Sequence, residues 1–129
     1  MMMKTRTGFL GLGLALAVGA SAPVAASDAY HFALSESSPE ADASGPAPEE
    51  VRLWFTQVPQ ENSVAIRLID SAGDPLETGE PTADEEDGTI VSVSIAGHLA
   101  GGTYTVAWRG IGDDGHVVRG DFEFAVTAQ

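Results

Sequence analysis

Apolar and polar residues alternate with a period of two in run after run of this chain. In "EVRLWFT" (residues 50–56), Val51, Leu53 and Phe55 fall on one side and Arg52, Trp54 and Thr56 on the other. Successive side chains of an extended strand point to opposite faces, so each such run is a strand with one face buried. "SVAIRLID" repeats the pattern with Val64, Ile66 and Leu68, and "TIVSVSI" with Val91, Val93 and Ile95. "TYTVAWRG" gives Tyr104, Val106 and Trp108, and "GDFEFAV" gives Phe122, Phe124 and Val126. "YHFALSE", with Tyr30, Phe32 and Leu34 in phase, brings the count to six strands, and a seventh is predicted around Leu76 in the long loop from Ser71 to Gly88. The segments between them ("SGPAPE", "VPQENS", "SAGDP", "EEDG", "AGG", "GDDG") are rich in residues that preset or tolerate turn geometry. Nothing beyond residue 26 sustains a helical period. The pattern predicts an all-β chain: a single antiparallel Greek-key β-sandwich or barrel of about seven strands, immunoglobulin-like or cupredoxin-like. Tyr104, at a strand start just after "LAGGT", fits a tyrosine corner, in which the hydroxyl bonds to upstream backbone.

The first 26 residues read differently. Lys4 and Arg6 precede the apolar run "GFLGLGLALAVGA" (residues 8–20), which ends in small residues, as a signal peptide does. That run is too short for a bilayer-spanning helix, which takes about 20 residues. No second apolar stretch follows it, so no direct membrane insertion is expected. Cleavage after Ala26 would leave 103 of the 129 residues, one small domain over 27–129, expected to be monomeric. Removing Lys4 and Arg6 takes away two of the six basic residues and leaves four arginines against 19 acidic residues, a net charge of −15. Such a surface is a poor partner for nucleic acid or an anionic membrane, both of which call for clustered Lys and Arg. The acidic run "ADEEDG" (residues 83–88) lacks the alternating carboxylates of a calcium loop and reads as a solvated turn.

The chain has no cysteine, and its three methionines, Met1 to Met3, all lie in the leader. The domain therefore has no disulfide and no sulfur ligand. Any metal it binds is held by imidazole, carboxylate, backbone or a terminal amine, a donor set that suits Cu(II) or Zn(II) and disfavours Cu(I). Three histidines are available: His31, His98 and His116. His98, in "IAGHLAGG", reads as an exposed turn residue without a role. Asp114 and His116, in "GDDGHVVRG", stand two apart, so in extended backbone they face the same way and can reach a common point, with Gly115 allowing a bend between them. On the residues alone, a metal site and a simple hydrogen bond between carboxylate and imidazole both stay open. For His31, a place on the exposed side of the first strand is the plain alternative to a ligand role.

"LAGGTYTVAWRGIGDDGHVVRGDFEFAV" (residues 99–126) is similar to the C-terminal half of the CopC-like copper resistance proteins. The shared series is Gly-Thr-Tyr, Val-x-Trp-Arg, Asp-x-His and Gly-x-Phe-x-Phe-x-Val. His31, Leu34, Ser38, Pro39 and the strand "EVRLWF" follow the family's order in the N-terminal half. The resemblance implies a periplasmic Cu(II)-binding protein, a carrier or buffer in copper homeostasis and not an enzyme. One ion would be held by His31, Asp114 and His116, with an inner-membrane copper transporter as the exchange partner. The family's first residue also supplies a terminal amine, whereas cleavage after Ala26 places the new amine on Ser27, four residues before His31; the expectation here is a three-ligand site completed by water or the tail. Two other functions stay open. A copper monooxygenase of the N-terminal histidine type needs a free histidine amine and a broad aromatic face, and a metal-free β-sandwich module needs neither. No serine, histidine and aspartate order or glycine-rich phosphate loop supports a hydrolase or transferase.

Overall fold

The computed structural model describes residues 31–128. The expected signal peptide and Tyr30 lie outside the described residues. Nine strands follow in chain order: β1 (Leu34–Ser38), β2 (Ser44–Gly45), β3 (Glu50–Phe55), β4 (Ala65–Ile69), β5 (Pro75–Leu76), β6 (Thr82–Ala83), β7 (Ile90–Ser94), β8 (Gly102–Ile111) and β9 (Val117–Val126). They form two sheets, one ordered β1-β3-β7-β6 and the other β2-β9-β8-β4-β5. The chain crosses repeatedly between the two sheets, giving a β-sandwich. Among the described residues no helix is long and apolar enough to cross a membrane.

The alternating residues meet in the space between the sheets. Val51, Leu53, Leu68, Val93 and Val106 are fully buried, and a fully buried side chain of this size contributes about 1.5–3 kcal/mol relative to exposure. Aromatic rings join the sheets at one end. Phe55 of β3 stacks on Phe32 at a centroid distance of 4.8 Å and meets Trp108 of β8 edge-on at 5.5 Å. The corner at the other end is also present: the Tyr104 hydroxyl donates to the Ala100 carbonyl at 2.6 Å.

The six alternating runs correspond to β1, β3, β4, β7, β8 and β9, and the segment at Leu76 is β5, where Leu76 pairs with Leu68. Three details differ from expectation. The first strand begins at Leu34, because the Ala33 amide donates to the Thr56 hydroxyl in place of a ladder partner. Two further strands, β2 and β6, have only two residues each, too few to show a period. The sandwich is not wholly antiparallel, since β2 runs parallel to β9, with Ser44 beside Ala125 and Gly45 beside Val126. β2 belongs to the long β1–β3 connection, which crosses to the far edge of the other sheet. The acidic run leaves β6 at Ala83 and continues over 84–88 as a turn whose carboxylates bond to their own loop: Asp84 accepts from the Glu86 and Asp87 amides, and Asp87 from Thr89.

Candidate metal centre

β8 and β9 pair over ten residues each, from Gly102 opposite Val126 to Ile111 opposite Val117, and a tight hairpin joins them. The Gly115 amide donates to the Gly112 carbonyl at 3.0 Å, and the Gly112 amide reaches the His116 carbonyl at 3.4 Å. Gly115 closes the loop at φ +82°, a conformation that glycine adopts without steric cost. This is a three-residue hairpin loop, a type I turn followed by a left-handed residue. It holds Asp114 and His116 side by side at the tip.

Their contact is direct. The Asp114 carboxylate accepts from the His116 ring at Nδ1, at 2.9 Å, and from the His116 backbone amide at 3.0 Å. An ionised carboxylate only accepts, so the contact keeps the proton on Nδ1 and leaves the Nε2 lone pair facing outward from the pair. Both side chains are largely exposed, 57% for Asp114 and 82% for His116. The hydrogen bond to His116 holds the Asp114 carboxyl below its usual range, helped by the His116 amide and, more weakly, by the charges of His116 and His31. The same bond and the carboxylate charge raise His116 above the ordinary imidazole value.

His31 reaches this hairpin from the opposite end of the chain because its neighbour is an anchor. Phe32 is buried against Gly110 and Gly112: a Cβ on Gly112 would lie 2.6 Å from the Phe32 Cβ, and one on Gly110 would lie 2.8 Å from the ring. Glycine at both positions makes room for the N-terminal arm. Thr56 then clamps the arm, its hydroxyl donating to the His31 carbonyl at 2.6 Å and accepting from the Ala33 amide at 2.9 Å. The His31 imidazole is exposed and has no hydrogen-bond partner among the described residues. Its charge is felt at Asp114, yet the three side chains are not drawn into a cage: no group of three or more His, Asp or Glu residues stands ready to hold a metal among the described residues. The structure thus joins Asp114 to His116 and docks Phe32, the residue after His31, on the same hairpin, without bringing the three side chains together. His98 is exposed elsewhere, between β7 and β8.

The β3–β4 loop braces the hairpin from beneath, and these supports are not apparent from local sequence. Gln57 accepts from the Asp113 amide at 3.2 Å, and Gln60 donates to the Gly112 carbonyl at 2.9 Å. The buried Ser63 hydroxyl accepts from the Ile111 amide at 3.1 Å. One signal does exist. The inward series Tyr104, Val106, Trp108 continues into Gly110 and Gly112, where a core side chain is expected and none is present. Such a gap implies that another segment fills it, and Phe32 does so.

The fold is a two-sheet β-sandwich with an Asp-x-His hairpin at one end and the N-terminal arm packed against that hairpin. The CopC domain matches residues 34–127, and the chain belongs to the CopC family. It is 28% identical over 123 residues to copper resistance protein C of Xanthomonas campestris pv. juglandis, covering 92% of this chain and 97% of that protein. It is also 28% identical over 116 residues to protein YobA of Escherichia coli K12, covering 89% of this chain and 94% of that one. Among solved structures, CopC from Methylosinus trichosporium OB3b superposes with a TM-score of 0.70 at 27% identity, over 77% of this chain and 96% of that one.

Proposed function

We propose that this protein is a periplasmic carrier or buffer of oxidised copper that holds one Cu(II) ion through His31, Asp114 and His116. The observation that supports the reading is the packing of Phe32 on Gly112, which docks the residue next to His31 on the hairpin that bears Asp114 and His116. Two imidazoles and a carboxylate suit Cu(II), which also tops the divalent affinity order, and the domain offers no sulfur for Cu(I). The Asp114–His116 hydrogen bond fits this role. It fixes the tautomer and presents Nε2, while each carboxylate oxygen keeps a further lone pair.

The exposure of the pair suits exchange better than burial for structure. The role is transfer rather than catalysis, with an inner-membrane copper transporter as the exchange partner. A leader ending at Ala26 would deliver the protein to the periplasm with Ser27 first, so water or the short tail fills the position beside His31. Titration of the exported protein with Cu(II) against a competing chelator tests this. One equivalent is expected, with weaker binding in H31A and H116A; no stoichiometric uptake by the wild-type protein would end the copper reading. An intact mass then fixes the first residue.

A further inference from the structure

Of the four arginines beyond residue 26, three share one face. Ala65 pairs with Arg109 and Arg109 with Arg119 in one cross-strand row; Arg67 pairs with Ala107 and Ala107 with Asp121 in the next. Directly paired residues project from the same side of a sheet, so Arg67, Arg109 and Arg119 all stand on the outer side of β4-β8-β9, where all three are exposed. Ala65 and Ala107 place only methyl groups between them. The result is an open depression of about 460 Å³ with an apolar floor, rimmed by the three arginines and one carboxylate, Asp121.

This clustering works against stability and has no structural explanation. Like charges directly opposite on neighbouring strands repel, yet Arg109 faces Arg119 in a chain with 19 acidic residues available for pairing. Among the described residues the ion pairs are Arg52 with Glu50 and His116 with Asp114. Arg109 donates to the Ser63 carbonyl at 3.2 Å. Among the described residues the Arg67 and Arg119 side chains make no hydrogen bond or ion pair, and Asp121, on the same face, pairs with neither. Edge protection does not account for the pattern, because β8 lies inside its sheet.

The face is continuous with the metal hairpin. The next row is Ile111 opposite Val117, with Val117 48% exposed, and beyond it lies the Asp114–His116 loop. Arg119 follows His116 by three residues, about 10 Å along an extended strand.

We propose that this face is a docking surface for an acidic peptide segment of a partner protein, whose carboxylates meet Arg67, Arg109 and Arg119 over the methyl floor. A short acidic segment fits three arginines set in an otherwise anionic surface. A membrane or a nucleic acid would extend its charge over the acidic surroundings and be repelled. A second copy of this chain would bring the same large negative charge. Peptide binding itself needs no metal; only its use, to bring a partner beside the copper hairpin, rests on the copper reading.

The test uses the exported protein freed of metal with EDTA, so a failure of the copper reading leaves the outcome intact. A fluorescein-labelled hexaglutamate peptide is titrated by anisotropy at low ionic strength. Saturable binding is expected, weakened about tenfold in R67Q/R119Q by the loss of two exposed charge contacts, weakened further by added salt, and unchanged in R52Q on the opposite sheet. Because Arg67 and Arg119 make no side-chain bonds, the double variant should unfold at the wild-type midpoint, which circular dichroism checks. Absence of saturable binding, equal binding by R67Q/R119Q, or an equal loss in R52Q overturns the proposal. So does capture of the protein by phosphatidylglycerol vesicles without peptide binding, which would point to a lipid surface.

Discussion

The placement of His31 can be tested without touching a ligand. Thr56 holds the arm through two hydrogen bonds of its hydroxyl, one given to the His31 carbonyl and one taken from the Ala33 amide. Valine has the same shape without the oxygen, so T56V removes both contacts and leaves the backbone bond from the Thr56 amide to the Ala33 carbonyl in place. Each neutral hydrogen bond contributes about 0.5–1.5 kcal/mol net, and these are exposed, so the arm should lose about 1–2 kcal/mol of order. Phe32 stays buried, and the hairpin is untouched. If Cu(II) binding must hold His31 beside Asp114 and His116, that lost order is taken from the binding energy, and affinity should fall about 5- to 30-fold at about 1.4 kcal/mol per decade. Chelator competition measures the change, and amide chemical shifts of residues 112–116 report that the hairpin is intact. Wild-type affinity in T56V, alongside weakened binding in H31A, would refute the idea that Thr56 positions the ligand.

Four further outcomes follow from the same contacts. G112A places a Cβ 2.6 Å from that of Phe32 and 3.2 Å from the Gln57 side-chain oxygen; it should cost about 1–3 kcal/mol in urea unfolding, as overpacked sites do, and weaken copper binding together with stability. Y104F removes the hydroxyl bond to Ala100 and keeps the ring stacked on Phe124, so a loss of about 1 kcal/mol and about 5 °C in Tm is expected by calorimetry. In metal-free protein the His116 ring should titrate above the ordinary 6.5 by NMR, and D114N should bring it down toward that value. The raised His116 value means that the charge attraction between imidazolium and carboxylate stabilises fully below the unfolded pKa and is lost as pH rises through the folded one, while the neutral ring keeps its Nδ1 hydrogen bond to Asp114. The lowered Asp114 value means that the attraction is also lost in acid, as pH falls through that value. Since Cu(II) needs the neutral nitrogen, its affinity should decline as pH falls through the raised His116 value.

The fold was legible wherever burial on one side of a strand imposes the period of two. Val51, Leu53 and Phe55 on β3 and Tyr104, Val106 and Trp108 on β8 are buried as their spacing requires. The tyrosine corner was legible for a similar reason, because a strand-initial tyrosine after a glycine pair needs a partner for its hydroxyl. β2 and β6 were not legible, since two residues carry no period and their pairing depends on where the chain crosses between sheets. At the candidate site, Asp114 and His116 were readable as a pair because both lie in one hairpin loop. Sequence separation concealed the rest: Phe32 and Gly112, like Thr56 and His31, meet only after the sheets assemble. The arginine face was concealed in the same way. Arg67, Arg109 and Arg119 each occupy an ordinary outward position, and only the strand order β9-β8-β4 makes them neighbours.

Electron paramagnetic resonance of the Cu(II)-loaded exported protein tests the central claim most directly, with envelope modulation counting the imidazoles on the metal. One tetragonal Cu(II) per chain is expected, coupled to two imidazole nitrogens, one of which disappears in H31A and the other in H116A. A signal unchanged by both substitutions, or one in which His31 contributes no coupling, would contradict a site that joins the N-terminal arm to the β8–β9 hairpin.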